Sequence, residues 1–137
     1  KRESYRYNIQ ALRKSVVAGL SVEAFHWLIE RSIPFNRFIT QQLNERLGQF
    51  IAMVEYDRLL EPDARVARSL AAMFNPYLYP GIGPQLQISQ EEIGYLSGVS
   101  RQRVNQALQA LERAALVRIE YGRIVILDLP GLRNYGG

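Results

Sequence analysis

Hydrogen-bonding side chains cluster on one side of the stretch from Ser100 to Leu116. Placed at helical spacing, they share a face that carries no acid from Arg101 to Gln109. This face consists of Arg101, Gln102, Asn105, Gln106 and Gln109. An Arg side chain can donate two parallel hydrogen bonds to the major-groove edge of guanine, and Asn or Gln can pair similarly with adenine. A face that serves only solubility usually carries Glu and Lys in salt-bridged pairs. The residue types of this face therefore indicate a helix that forms hydrogen bonds with DNA bases.

Two helices and a glycine turn must position that face. Ser89 and Glu92 form a Ser-x-x-Glu capping box, which predicts the start of a short helix. Gly98 suits the left-handed turn that ends it, and Ser100 is a second N-cap. The second helix is predicted over 100–115, with one buried face at helical spacing. Its apolar positions are Val104, Ala107, Leu108, Leu111 and Ala115. This is the pattern of a helix-turn-helix, although an amphipathic hairpin inside a larger core gives a similar pattern.

A β-hairpin is predicted directly after these helices. Apolar and charged residues alternate from Val117 to Tyr121, which is the period of a half-buried strand. Tyr121-Gly122 forms the turn, and the β-branched run Ile124–Leu127 forms the return strand. The pattern therefore predicts a winged helix. Arg118 and Arg123 flank the hairpin, where such side chains meet either DNA phosphates or only solvent.

Residues Ile88 to Leu127 resemble the C-terminal domain of the Crp/Fnr family of bacterial transcription regulators. The signature is ISQEEIGYLSGVSRQRVNQALQALERAALV followed by a short wing. The resemblance implies a homodimeric, sequence-specific DNA-binding protein whose recognition helix enters the major groove. It implies double-stranded DNA, a second copy of the chain and RNA polymerase as partners, and no membrane.

The same resemblance assigns expected roles to individual residues. Arg101 and Gln102 become the leading base readers, and Ser89, Gln90 and Ser100 contact the DNA backbone. The full set expected at DNA is Ser89, Gln90, Ser100, Arg101, Gln102, Arg103, Asn105, Gln106, Arg118 and Arg123. Many members carry Arg at the position of Gln106, and some carry Glu at that of Gln102. The preferred half-site should therefore differ from that of the best-known members.

A long helix is predicted between Pro34 and Pro62. Its apolar residues recur at threes and fours, which indicates a coiled-coil-like dimer seam, and the family resemblance supports dimerisation through this helix. The expected interface residues are Phe38, Ile39, Leu43, Leu47, Phe50, Ile51 and Val54. The alternative is that this stripe packs on the chain's own β domain. In cyclic-AMP-responsive members, hydroxyl residues of this helix reach the nucleotide base. Phe50 and Ile51 replace them here, so cyclic AMP sensing by those contacts is not expected.

The first 33 residues are predicted to be the remnant of a larger β domain, and the family resemblance implies that this is a β-roll effector domain. Tyr5, Tyr7, Ile9 and Ala11 alternate like a strand, and Ser15–Gly19 is predicted as a second one. A helix follows from Ser21 to Arg31, with Val22 and Phe25 on its apolar face and Trp27 in a core or interface. The predicted organisation is therefore a remnant over 1–33, a dimerisation helix over 34–61 and a winged helix-turn-helix over 62–137.

The fold class that follows is mainly α with a small β-hairpin. Residues 62–74 are predicted as a helix with Val66, Leu70 and Phe74 inward. The segment from Asn75 to Gln87 has three prolines and two glycines, so it is predicted to be a turn-rich connection. The tail from Asp128 onward is predicted to add only a short terminal turn.

Composition argues against several other classes of function. The 137 residues carry a net charge of +4, one His and no Cys, so the chain offers no disulfide, cysteine-ligated cluster or histidine-centred catalytic group. Asp63, Glu91 and Glu92 are typical of helix starts rather than of an acid–base pair. We therefore expect a non-enzyme that is cytoplasmic and holds no cofactor; the effector of the larger domain is open. A winged-helix protein-interaction module without DNA binding is the alternative.

Overall fold

A computed structural model of the chain describes residue 11, residues 14–59 and residues 61–136. They belong to two compact units, 1–36 and 37–137. The elements are α1 (Val22–Arg31), α2 (Ile33–Leu59), α3 (Pro62–Ala72), β1 (Gln85–Leu86), α4 (Gln90–Ser97), α5 (Arg101–Arg113), β2 (Val117–Glu120), β3 (Arg123–Ile126) and α6 (Leu129–Asn134). The predicted fold class, mainly helical with a small antiparallel sheet, is confirmed. The three-part domain division stays a prediction.

The first unit is built around α1. Ser21 caps the helix, its Oγ accepting a hydrogen bond from Ala24 N at 3.1 Å. Phe25 packs edge-on against Phe35, with ring centroids 5.7 Å apart. No residue of α1 is buried. Val22 and Trp27 are exposed, so the apolar face predicted to include Val22 is not buried and Trp27 does not lie in a core; its placement in an interface stays a prediction.

The predicted second strand at Ser15–Gly19 is wrong, because these residues are neither helix nor strand. Val16 and Val17 are fully or nearly fully exposed, and the sheet of the described residues does not include this segment. A β-branched dipeptide favours extended backbone, but a strand also needs a neighbour to satisfy its ladder. The other predicted strand, Tyr5 to Ala11, lies outside the described residues except for Ala11, which is neither helix nor strand.

The core of the second unit forms where α3 and α5 pack together, with the sheet and α6 closing around them. The largest fully buried side chains are Leu70, Ile93, Leu108, Leu111, Leu132, Val66, Val104 and Val117. They come from α3, α4, α5, β2 and α6, so the helix-turn-helix and its neighbours share one core. The helix α3 ends at Ala72, two residues before its predicted end at Phe74, which is partly buried.

The sheet has three antiparallel strands in the order β1-β3-β2. The predicted hairpin is confirmed, with Val117 opposite Ile126 and Glu120 opposite Arg123. The third strand, β1, is a correction, since its segment was predicted to be turns only. Gln85 pairs with Val125, and Ile126 N donates to Pro84 O at 2.8 Å.

The helix α5 ends two residues earlier than predicted. Ala115 has a φ of 57°, so it lies in a left-handed turn and not on the buried helical face. Its N–H donates to Glu112 O at 2.9 Å, and Leu116 N donates to Leu111 O at 3.0 Å. These are the bonds that close a helix C-terminus. Ala115 is exposed, and Leu116 enters the core in its place.

The long helix α2 is attached to the loop after α3 by polar contacts. Gln42 Nε2 donates to Tyr77 O at 2.7 Å, and Asn75 Nδ2 donates to Glu45 Oε2 at 2.7 Å. An open cleft of about 970 Å³ lies between the two elements. Among the described residues, no helix is both long and apolar enough to cross a bilayer.

Candidate nucleic-acid interface

Local caps fix the geometry of the turn between α4 and α5. Ser89 Oγ accepts from Glu92 N at 3.1 Å, and Glu92 Oε2 accepts from Ser89 N at 2.7 Å. Gly98 ends α4 with a φ of 64°. Ser100 Oγ then accepts from Arg103 N at 3.3 Å. The predicted capping box, glycine turn and second N-cap are all confirmed. Each of them could be predicted from the sequence because it depends only on residues within a few positions of one another.

Arg65 of α3, which lies outside the motif, stabilises the turn between α4 and α5. Its Nε and one Nη donate to Ser97 O at 3.1 and 2.8 Å, and that Nη donates to Gly98 O at 3.0 Å. Carbonyls at a helix C-terminus lack partners within the helix, so a cation placed there stabilises them. No sequence pattern indicates this role for Arg65, since nothing local connects it to a turn more than thirty residues later.

The acid-free face of α5 is exposed along its length, while the opposite face is sealed in the core. Arg101, Gln102, Asn105 and Gln106 are all exposed. Val104, Ala107, Leu108 and Leu111 are buried. The predicted inward positions are therefore confirmed up to Leu111. The polar face is open for contact, since no described part of the second unit covers these side chains.

Two side chains beside this face, Arg103 and Gln90, are tied to neighbouring groups. Arg103 is half-buried, and one of its Nη atoms lies 3.3 Å from Asp63 Oδ1. Its other Nη donates to Gln106 Oε1 at 2.9 Å. Gln90 Nε2 donates to Asn105 Oδ1 at 3.3 Å, which joins the start of α4 to α5. Arg103 therefore anchors α5 to α3, and its charge is partly compensated by Asp63.

The wing carries a cluster of charges around Glu120. Arg118 Nε donates to Glu120 Oε1 at 3.0 Å, and Arg123 Nε donates to the other carboxylate oxygen. The hydrogen bond from Arg123, and then that from Arg118, holds the pKa of Glu120 below its ordinary value. Arg123 also donates to Gln85 Oε1 at 3.2 Å, so β1 contributes to this cluster. Both arginines lie at the wing as predicted, but each already has an intramolecular partner.

The arrangement offers hydrogen bonds and positive charge rather than bond-making chemistry. Within the described part of the chain, no three His, Cys, Asp or Glu side chains group in a way that would hold a metal ion. The exposed hydrogen-bond donors and acceptors instead lie on one convex face of α5. The β2–β3 hairpin, which carries Arg118 and Arg123, follows α5 in the sequence. Such a surface suits a double-stranded nucleic acid, which offers grooves and phosphate charges.

The Crp-like helix-turn-helix domain matches residues 64–135 of this chain. The chain belongs to the Crp/Fnr family of transcription regulators. The match extends from α3 through the wing to α6, so it includes the whole core of the winged helix. The protein is therefore a DNA-binding regulator of the Crp/Fnr type.

Two proteins similar to this chain are named as transcriptional regulators. The transcriptional regulator LdrP of Thermus thermophilus is 28% identical over 138 residues, which span 98% of this chain and 67% of LdrP. The cAMP-activated global transcriptional regulator CRP of Pasteurella multocida is 29% identical over 121 residues, spanning 86% of this chain and 57% of CRP.

A crystal structure described as a Crp/Fnr-family regulator from Eubacterium rectale has a similar fold. Its TM-score to this chain is 0.51 at 23% identity, covering 81% of this chain and 51% of the other. At that level of identity the likeness concerns the fold alone. The chain thus spans between about half and two thirds of the proteins that it resembles.

Proposed function

We propose that this chain binds a near-palindromic DNA site as a homodimer, with α5 of each subunit in one of two successive major grooves. The observation that carries this proposal is the exposed, acid-free polar face of α5 above a fully buried opposite face. Recognition helices related by a two-fold axis reach half-sites about 34 Å apart, one turn of the double helix. Each subunit would read one half-site.

Base reading falls to the first turns of α5. Arg101 and Gln102 are exposed at the start of the helix, and neither has a hydrogen bond to a described neighbour that would need to break. Asn105 and Gln106 follow one turn later. Arg pairs best with guanine and Gln or Asn with adenine, so the half-site should contain both bases. Glutamine at 102 and 106, in place of the Glu and Arg of other members, should shift the preferred half-site.

Phosphate contacts would surround this reading surface. The starts of α4 and α5 present free backbone N–H groups and the side chains of Ser89, Gln90 and Ser100, an arrangement suited to phosphate. Arg103, Arg118 and Arg123 add charge at the edges. A net charge of +4 per chain is modest, so two subunits would be needed to collect enough phosphate contacts for tight binding.

The apolar stripe of α2 supports the dimer. Leu43, Leu47 and Phe50 are exposed by 66%, 58% and 59%, and no described part of the second unit covers them. Phe38, Ile51 and Val54 are exposed as well, whereas Ile39 is half-buried. Each large side chain buried between two such helices would contribute roughly 1.5–3 kcal/mol. The dimer would then present its two winged helices to DNA and, as a regulator, would act on RNA polymerase.

Selection of bound sequences from a random duplex pool tests this function. Enriched sites should contain two inverted half-sites separated by one helical turn. Arg101→Ala should then weaken binding to the selected site by roughly 1–3 kcal/mol and relax the preference at one base pair. Arg113→Ala, an exposed substitution at the last turn of α5, is the control and should leave base preference unchanged. Equal losses by Arg101→Ala on selected and random DNA would contradict base reading by this side chain.

A further inference from the structure

The wing holds one carboxylate between two arginines. Glu120 lies opposite Arg123 across the β2–β3 pair and two positions after Arg118, so Arg118 and Glu120 project from the same face of β2. The Nε of each arginine donates to a different oxygen of this carboxylate. The Glu120 side chain is 26% exposed, whereas those of Arg118 and Arg123 are 58% and 46% exposed. The Glu120 side chain is therefore more buried than the two arginine side chains that it binds.

This pairing changes the charge that the wing offers to DNA. Its two arginines lower the pKa of Glu120, so the carboxylate is ionised at neutral pH and the three side chains together carry a charge of about +1. A phosphate that approaches either arginine must compete with Glu120 for the same Nε–H donor. It would also meet the negative charge of the carboxylate.

We propose that Glu120 limits the affinity of the wing for DNA phosphates by keeping Arg118 and Arg123 in intramolecular pairs. This inference rests on the proposed contact between wing and DNA. Exposed ion pairs are weak, so Glu120 reduces the phosphate contacts of the two arginines without abolishing them. Phosphate contacts carry no sequence information. Glu120 therefore lowers binding to all DNA alike and leaves α5 to decide which sequence is bound.

Glu120→Gln removes the negative charge and keeps the shape of the side chain. The full chain carrying it should bind random duplex DNA about three- to tenfold more tightly at low salt. The slope of log affinity against log salt should steepen by about one to two, since each freed arginine adds a phosphate contact. Glu23→Gln makes the same change in net charge in α1, an element that is not part of the wing, and should alter neither quantity. Glu120→Ser, which cannot bridge the two arginines, should act in the same direction as Glu120→Gln.

A companion variant, Arg118→Ala with Arg123→Ala, distinguishes failure of the proposed restraint by Glu120 from failure of the proposed contact between wing and DNA. It should weaken binding to random duplex and make the Glu120→Gln substitution silent when the changes are combined. If the arginine variant weakens binding but both Glu120 variants bind as the unaltered protein does or more weakly, Glu120 does not restrain the wing. If the arginine variant and the Glu120 variants all bind normally, the wing does not touch DNA, and that part of the proposed function fails too. Thermal unfolding midpoints within a few degrees of the unaltered protein identify variants that are folded.

Discussion

Gly94 shows how a single missing side chain sets the packing of the DNA-binding motif. A Cβ at this position would lie 2.9 Å from the backbone oxygen of Val99 and 3.8 Å from Val104 Cγ2. The first distance is shorter than real Cβ contacts allow, and the obstacle is backbone rather than a flexible side chain. Alanine is favoured over glycine by about 1 kcal/mol inside a helix, but the clash acts in the opposite direction. At Gly94 the packing term is the larger one.

We therefore predict that Gly94→Ala destabilises the protein by about 1–3 kcal/mol, the usual cost of overpacking. Gly48→Ala is the matched control, because nothing lies within 4 Å of its Cβ position and it sits inside α2. That change should stabilise by up to about 1 kcal/mol. Urea unfolding midpoints give both values. A Gly94→Ala protein as stable as the Gly48→Ala protein would show that the turn can widen at no cost.

Arg65, Arg101 and Arg103 differ in role although their side chains are chemically identical. Arg101 is exposed at the start of α5, whereas Arg103, two positions later, is held by Asp63 and Gln106. Arg65 is engaged by the carbonyls of the turn. The sequence predicted DNA contact for Arg101 and Arg103 and nothing for Arg65. Helical spacing separates an inner face from an outer one, but it does not say which outer residues meet a neighbouring helix.

At the scale of elements, the tail after the wing is part of the core. Asp128 caps α6, its side chain accepting from Gly131 N at 2.9 Å. Pro130 falls in the first turn, where its missing N–H has no intrahelical partner to lose. Leu132 then enters the cluster formed by α3 and α5 and is fully buried. A six-residue helix has little intrinsic stability, so burial of Leu132 holds it in place.

Leu132→Ala should accordingly destabilise the winged helix by about 2–5 kcal/mol, the range for a large-to-small change in a closed core. Leu127→Ala is the same chemical change at a side chain that is 51% exposed, and it should cost well under half as much. Chemical denaturation followed by circular dichroism measures both. A small effect at Leu132 would mean that α6 can detach while the rest of the core stays folded.

The elements that the sequence predicted well are those whose determinants are local. The caps at Ser89 and Ser100 and the wing turn at Gly122 depend on neighbours within a few residues, and all are as predicted. The strand β1 was missed because two residues carry no periodicity, and their partner β3 lies far along the chain. The predicted strand at Ser15–Gly19 was wrong for the converse reason: its residues have β propensity, but the segment belongs to no sheet of the described residues.

On the scale of the whole molecule, the second unit has an apolar surface that its own described residues leave exposed. Polar contacts from Gln42, Glu45 and Arg46 join α2 to the segment that follows α3. Arg46 also stacks on Tyr79, with its guanidinium carbon 5.5 Å from the ring centroid. These contacts use the polar side of α2. Leu43, Leu47 and Phe50 stay exposed, which is costly in water unless another surface covers them.

A charge placed on that stripe tests whether the covering surface is a second copy of the chain. In a dimer, Leu47→Glu would remove two buried leucines, about 3–6 kcal/mol per dimer, and so raise the dimer dissociation constant a hundredfold or more. Gln41→Glu introduces the same charge on an exposed part of α2 away from the stripe and should leave association unchanged. Sedimentation equilibrium measures the association. On DNA, Leu47→Glu should lose most affinity for a site with two half-sites but keep the affinity of the unaltered protein for a single half-site. If Leu47→Glu instead associates as strongly as Gln41→Glu, the stripe is not the dimer seam, and the two recognition helices must be brought together by other surfaces.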